Sequence, residues 1–156
     1  MRSRFRITGK AAHSANCVAG ANAIAEAAHK ILKLEELKDP NTLTCNCGII
    51  EGGTVANTVA EQCSFVADFR FATEEDCQRA REISEQLAKD NRVEGCCCEL
   101  EQISHRPAMP FAQRNETLLE KMNAIYRKTD LPELAGRTCL SGSDAAYITL
   151  AEIPCV

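Results

Sequence analysis

His13 lies in GKAAHS, between a turn-prone Gly9-Lys10 and the alanine-rich stretch that begins near Ala19. An imidazole there can be a plain loop residue near a helix start, or a donor and acceptor that the chain presents to a reacting group. His29 and His105 are far from it in sequence, so the three histidines make no metal-ligand spacing. The ten cysteines, at 17, 45, 47, 63, 77, 96, 97, 98, 139 and 155, are the other reactive set. Cys45-Asn46-Cys47 and the contiguous Cys96-Cys97-Cys98 do not match a zinc knuckle, which pairs two C-x2-C-like elements. Most fall in stretches patterned as strand or helix, where a reduced thiol serves as a small apolar side chain. Glu35-Glu36 and Glu74-Glu75 sit at helix ends, the setting of solvated surface carboxylates.

These residues need a scaffold, and 156 residues give room for one domain or one domain plus part of another. Hydrophobic residues make up 45% and charged residues 26%, the balance of a folded chain with a packed core. A net charge of −4 with 4% aromatics disfavours nucleic-acid and anionic-membrane binding. No apolar run approaches the ~20 residues that span a bilayer, and the basic start MRSRFRITGK lacks a secretory apolar region. A cytoplasmic setting is the expectation.

Residues 4–8 alternate charged and apolar, the period of a half-buried strand. Ile24, Ala27 or Ala28, Ile31 and Leu34 or Leu32 recur at helical spacing until Asp39-Pro40-Asn41 turns the chain. LTCNCGII, 43–50, reads as a second strand, and the paired glycines of Glu51-Gly52-Gly53-Thr54 permit a positive φ or a bulge. In CSFVADFRF, 63–71, Cys63, Phe65, Ala67, Phe69 and Phe71 point one way, with Asp68 and Arg70 opposite. Thr73 to Asp76 resembles a capping box and opens a helix with Ala80, Ile83 and Leu87 on one stripe. CCCELEQIS, 96–104, is a fourth strand. The order β-α-β-β-α-β predicts an α+β, ferredoxin-like antiparallel four-stranded sheet with both helices on one face. After Pro107 and Pro110 the pattern changes: Asn115 is placed as the cap of a further helix, and residues 131–156 hold a loop, SGSDAAY, and an apolar tail. The expected division is 1–107 as one unit and 108–156 as part of an α/β segment.

GKAAHS with GANAI, then NCGIIEGGTVAN, VADFR and SGSDAAY, in that order and spacing, resemble the M20 zinc metallopeptidases and amidohydrolases, in particular the carboxypeptidase G2-like and aminoacylase-like members. The resemblance implies that residues 1–107 are the family's inserted lid or dimerisation domain. Residues 108–156 would be part of the returning catalytic segment. It implies a homodimer formed through the lid, and a peptide or N-acyl amino acid substrate with a free carboxylate. It also implies zinc in the parent enzyme. The family's His-x-Asp, Glu-Glu and late histidine ligands have no counterparts in this chain. The expectation is therefore that the chain binds no zinc through family ligands and has no hydrolytic activity alone.

The same resemblance assigns roles residue by residue. His13 falls on the lid histidine that stabilises the developing oxyanion, reaching the partner subunit's active site in dimeric members. Asn57 matches an asparagine that hydrogen-bonds substrate, and an amide has both a donor and an acceptor for that task. Arg70 matches the arginine of an Asp-x-Arg element, and Arg106 an arginine just after the last lid strand; a guanidinium fork suits a substrate carboxylate. Gly142 and Ser143 match a segment that approaches the same carboxylate, with Asp144 expected to cap the helix that follows. The chain departs from the pattern at Ala15-Asn16-Cys17-Val18, at Val59-Ala60 and at Ser141-Gly142. Two other readings stand beside this one. The first is a stand-alone ferredoxin-like association module whose edge strand and first helix join two copies. The second is a thiol-rich metal carrier using Cys45, Cys47 and Cys96 to Cys98.

Overall fold

A computed structural model describes residues 1–137 and 139–156. β1 (Arg2–Thr8), β2 (Leu43–Gly52), β3 (Gln62–Phe71) and β4 (Cys97–Ser104) form one antiparallel sheet in the order β2-β3-β1-β4. α1 (Ala23–Leu34) joins β1 to β2 and α2 (Glu74–Lys89) joins β3 to β4. Both helices pack on the same face, completing the βαββαβ arrangement that the sequence predicts.

The alternation in β3 decides which face is buried. Cys63, Phe65, Ala67 and Phe69 are buried, and they meet Phe5 and Ile7 of β1, Ala23, Ala27 and Leu34 of α1, and Ala80 and Ala88 of α2 in one core. Phe5 and Phe65, directly paired in the register, stack with ring centroids 4.6 Å apart. Each such fully buried side chain contributes about 1.5–3 kcal/mol relative to exposure. Phe71, at the strand end, is only half-buried. The opposite face carries charge: Asp68 lies between Arg2 and Arg70, and Glu101 of β4 pairs with Arg6 at 2.8 Å.

The ends of the helices follow local chemistry. The Asn22 side chain accepts from the N–H groups of Ile24 and Ala25 and starts α1. Thr73 and Asp76 form the full capping box at the start of α2. Gly53 takes the positive φ, +73°, that lets the chain turn out of β2, and the irregularity in β2 falls earlier, between Cys47 and Ile49.

Beyond β4 lie α3 (Gln113–Lys128) and the short α4 (Ala145–Leu150). Here two expectations are corrected. Ala112, not Asn115, precedes the first turn of α3. Asn115 is buried within the helix, where its amide donates to Thr149 Oγ1 at 3.1 Å and accepts from the Cys155 N–H at 3.0 Å. A buried amide satisfied on both sides braces the tertiary packing more effectively than it would cap an exposed end. Asp144 occupies the N-cap position of α4 without a side-chain cap; the hydroxyl of Ser143 accepts from Ala145 instead, while Asp144 reaches Arg106. Among the described residues no helix is long and apolar enough to cross a membrane.

Candidate functional site

The structure sorts the sequence-predicted site residues into two groups. The first forms where the exit of β1 meets the approach to β3. Segments 12–14 and 57–59 run antiparallel: Ser14 N–H donates to the Asn57 carbonyl at 2.9 Å, Val59 N–H to the Ala12 carbonyl at 2.8 Å, and His13 bridges Thr58. The backbones carrying His13 and Asn57 are thereby held together, and both side chains are exposed. Gly20 fits closely against this pairing, because a Cβ there would press on the Lys10 carbonyl oxygen and on the Ala12 and Val59 side chains.

His13 also starts a 3-10 turn, Ser14–Ala19, and its Nδ1 accepts the Ala15 N–H at 3.2 Å. An imidazole that accepts at Nδ1 carries its proton, when neutral, on Nε2. The ring therefore presents an outward Nε2–H donor, set by its own backbone.

The second group lies at the other end of the sheet, in a groove of about 1830 Å³ lined among others by Arg70, Arg106, Phe111, Gly142 and Ser143. Arg70 Nε donates to Asp68 at 2.7 Å, and Arg2 Nε donates to the other oxygen of the same carboxylate at 2.9 Å. Burial opposes ionisation of Asp68, but the two guanidinium groups outweigh it and hold its carboxyl below the usual aspartate range. With Nε engaged, the terminal nitrogens of Arg70 stay available to an anion. Arg106 pairs with Asp144 at 3.4 Å, and its side chain lies against Gly142. Arg70, Arg106, Gly142 and Ser143 all line this one groove.

His13 and Asn57 are not part of that groove. They sit by the Thr8–Gln62 end of the β1–β3 ladder, and Arg70 sits beyond the Arg2–Asp68 end. The ladder between them spans roughly 20 Å at about 3.4 Å per residue. One small substrate cannot touch both groups of a single copy.

His13 and His29 are exposed on different elements, and among the described residues the one cluster of three donors is Glu74, Cys77 and His105. These residues do not form a two-zinc centre. Cys45 and Cys47 lie on β2 while Cys97 and Cys98 lie on β4, the opposite edges of the sheet, so they form no common thiol site. Cys45, Cys63 and Cys77 are buried, and burial pushes the Cys63 and Cys77 thiols up; Cys45 and Cys63 are members of the apolar core and serve there as packing residues.

Sequence reasoning missed one constellation, the buried pair Glu26 and Lys30 of α1, 2.8 Å apart. Its i,i+4 spacing is that of an ordinary surface ion pair, so only the apolar neighbours Ala23, Ala27 and Leu34 could have marked the face as inward.

A βαββαβ sheet with a polar loop pair at one end and an arginine-lined groove at the other defines a ferredoxin-like module. Residues 1–96 match the M20-type peptidase dimerisation domain, and the chain belongs to that family. It is similar to carboxypeptidase G2 of Pseudomonas sp. strain RS-16, with 28% identity over 98% of this chain and 37% of that protein. Its fold superposes on the aminopeptidase PepT of Bacillus cereus (26% identity, TM-score 0.73) over 98% of this chain and 41% of that one. A tripeptidase from Staphylococcus aureus gives the same coverage and TM-score at 22% identity, a likeness of fold. The chain thus spans about two-fifths of the length of these relatives.

Proposed function

We propose that this chain is the dimerisation and substrate-binding lid of an M20-type zinc-dependent peptidase or N-acyl amino acid amidohydrolase. Residues 1–107 act as the lid and 108–156 as a returning segment of the catalytic domain. The zinc is held by groups other than those described above. The observation that carries the reading is the His13 loop: a pre-set Nε2–H donor, exposed on a loop whose backbone is bonded to the Asn57 segment. Amide hydrolysis builds negative charge on the carbonyl oxygen, and a donor already in place stabilises that charge without reorganisation. Arg70 and Arg106 supply forks for the substrate carboxylate, and Gly142 and Ser143 let the backbone and a hydroxyl come close to it.

The distance between the two groups supports a division of labour between copies, with His13 and Asn57 serving the site of the partner subunit. The exposed edge of β2, with Ile49 and Ile50, beside α1 with Leu32 exposed, offers the surface on which two lids would join. The test is complementation. The chain mixed with the zinc-binding half of a relative is expected to restore hydrolysis of an N-acyl amino acid, and the His13→Ala chain is not. Dimerisation without any restored hydrolysis would instead favour a plain association module.

A further inference from the structure

The exit of β4 brings a histidine onto the first turns of α2. Glu74 and Cys77, three residues apart on one helix face, meet His105, and their donor atoms all lie within 4.8 Å of one another. Three features make this more than proximity. The capping box of Thr73 and Asp76 fixes the start of the helix from which Glu74 and Cys77 project. The His105 ring stacks on Phe71, centroids 6.2 Å apart, so its orientation is set. Its Nε2 is shielded from solvent, has no hydrogen-bond partner among the described residues, and lies 3.8 Å from the Glu74 carboxylate. A buried ring nitrogen without a partner is costly, and a ligand is one way to satisfy it.

We propose that Glu74, Cys77 and His105 form a binding site for one divalent cation of the zinc class. Imidazole, thiolate and carboxylate together suit a borderline cation, and three protein ligands leave a fourth tetrahedral position open. Donors around zinc at about 2.0–2.3 Å stand roughly 3.3–3.7 Å from each other. Closing the cluster by about 1 Å falls to Glu74, whose side chain is 61% exposed and free to turn inward. Cys77 is fully buried and binds from behind. The Arg81 guanidinium, one turn further along, lies against the Cys77 thiol and competes with a cation there; it also lines the open groove between α2 and β4, into which it can withdraw. The bound ion would staple the start of α2 to the residue next to Arg106, fixing where the chain leaves the sheet.

Cobalt(II) added alone to the 156-residue chain tests this. The expected result is one cobalt per chain, with the near-ultraviolet absorption of a thiolate–cobalt bond, displaced by zinc. The band is lost in Cys77→Ser and in His105→Ala. It is kept when Cys45 and Cys47, or Cys96 to Cys98, are changed to serine. His105→Ala and Glu74→Gln alter side chains outside the core, so they carry the test if Cys77→Ser does not fold. No band, a band that survives His105→Ala, or a band lost with another cysteine set overturns the proposal. The readout is independent of hydrolysis and of dimerisation, so its failure leaves the lid function untouched.

Discussion

Lys30 Nζ lies 2.8 Å from Glu26 Oε1, and neither side chain is more than 1% exposed. The pair does more than neutralise itself. Lys30 donates to the carbonyls of Leu87 and Asp90, at the end of α2, at 2.6 and 2.8 Å. Glu26 accepts from the N–H groups of Arg92 and Val93 at 2.9 and 2.7 Å. One turn of α1 thus satisfies four backbone groups of the α2–β4 connection, which would otherwise be left unpaired against the core.

Removing one partner strands the other. Lys30→Met is expected to cost about 3–5 kcal/mol, because it leaves a buried carboxylate and two carbonyls without their cation. Changing both residues, Glu26→Gln with Lys30→Met, should recover only part of that loss, since the backbone groups remain unsatisfied. Urea denaturation of the three chains reads the difference; a double variant as stable as the parent would show the pair to be dispensable.

Burial works against the Glu26 charge, yet the Lys30 ammonium and the Val93 and Arg92 N–H groups prevail, and its carboxyl titrates below the ordinary glutamate value. A carboxyl with a lowered folded pKa binds its proton later than in the unfolded chain. Its stabilisation is therefore complete above the unfolded value and is lost as the pH falls through the folded one. Asp68 adds a second contribution of the same sign. Denaturation midpoints should hold steady near neutral pH and fall in the acid range below the ordinary carboxylate values. Glu26→Gln should lower the neutral stability and flatten that fall.

What could be read from sequence follows the range of the forces. The strand faces of Phe65, Ala67 and Phe69 and the Thr73 capping box depend on neighbours within a few residues, and each was legible as spacing. Asn115 and the Glu26–Lys30 pair depend on contacts 34 to 67 residues away, with Thr149 and Val93 among them. From spacing alone, a buried amide looks like a cap and a buried ion pair like a surface one. His13 was legible as a candidate, but its fixed Nδ1 acceptor, and its separation from Arg70, required the folded loops.

The edge of β2 should carry the dimer. Ile49 and Ile50 are 58% and 52% exposed, on the part of the β2 edge that lies beyond the stretch Leu43–Cys47 covered by residues 37–39 and the Glu35 side chain. Ile50→Glu, which places a charge where two lids would meet, is expected to shift the chain from dimer to monomer without lowering its melting temperature by more than a few degrees. Analytical ultracentrifugation measures the first effect and calorimetry the second.

Arg70 reads the substrate carboxylate in the proposed enzyme, and lysine lacks the fork. Arg70→Lys should raise KM by roughly 10- to 100-fold with kcat little changed, the loss of one charge-assisted contact made equally in ground and transition states. A substrate amidated at its carboxyl end should show almost no difference between the two enzymes. A fall in kcat with KM intact would move Arg70 from binding to chemistry.

His13 predicts the opposite signature. A donor aimed at the developing oxyanion acts only as charge builds, so His13→Ala should lower kcat by about 100- to 1000-fold and leave KM nearly unchanged. His13→Gln, which keeps an N–H donor on a shorter and less constrained arm, should recover part of the rate. If the histidine serves the partner subunit, mixing His13→Ala chains with chains disabled at Arg70 should restore activity in the heterodimers, because one of the two sites then draws both functional groups. Titrating one variant against the other would give activity rising to a maximum at equal proportions. No gain above the two parents would place His13 and Arg70 in the same copy's site, a result that the separation along the β1–β3 ladder argues against.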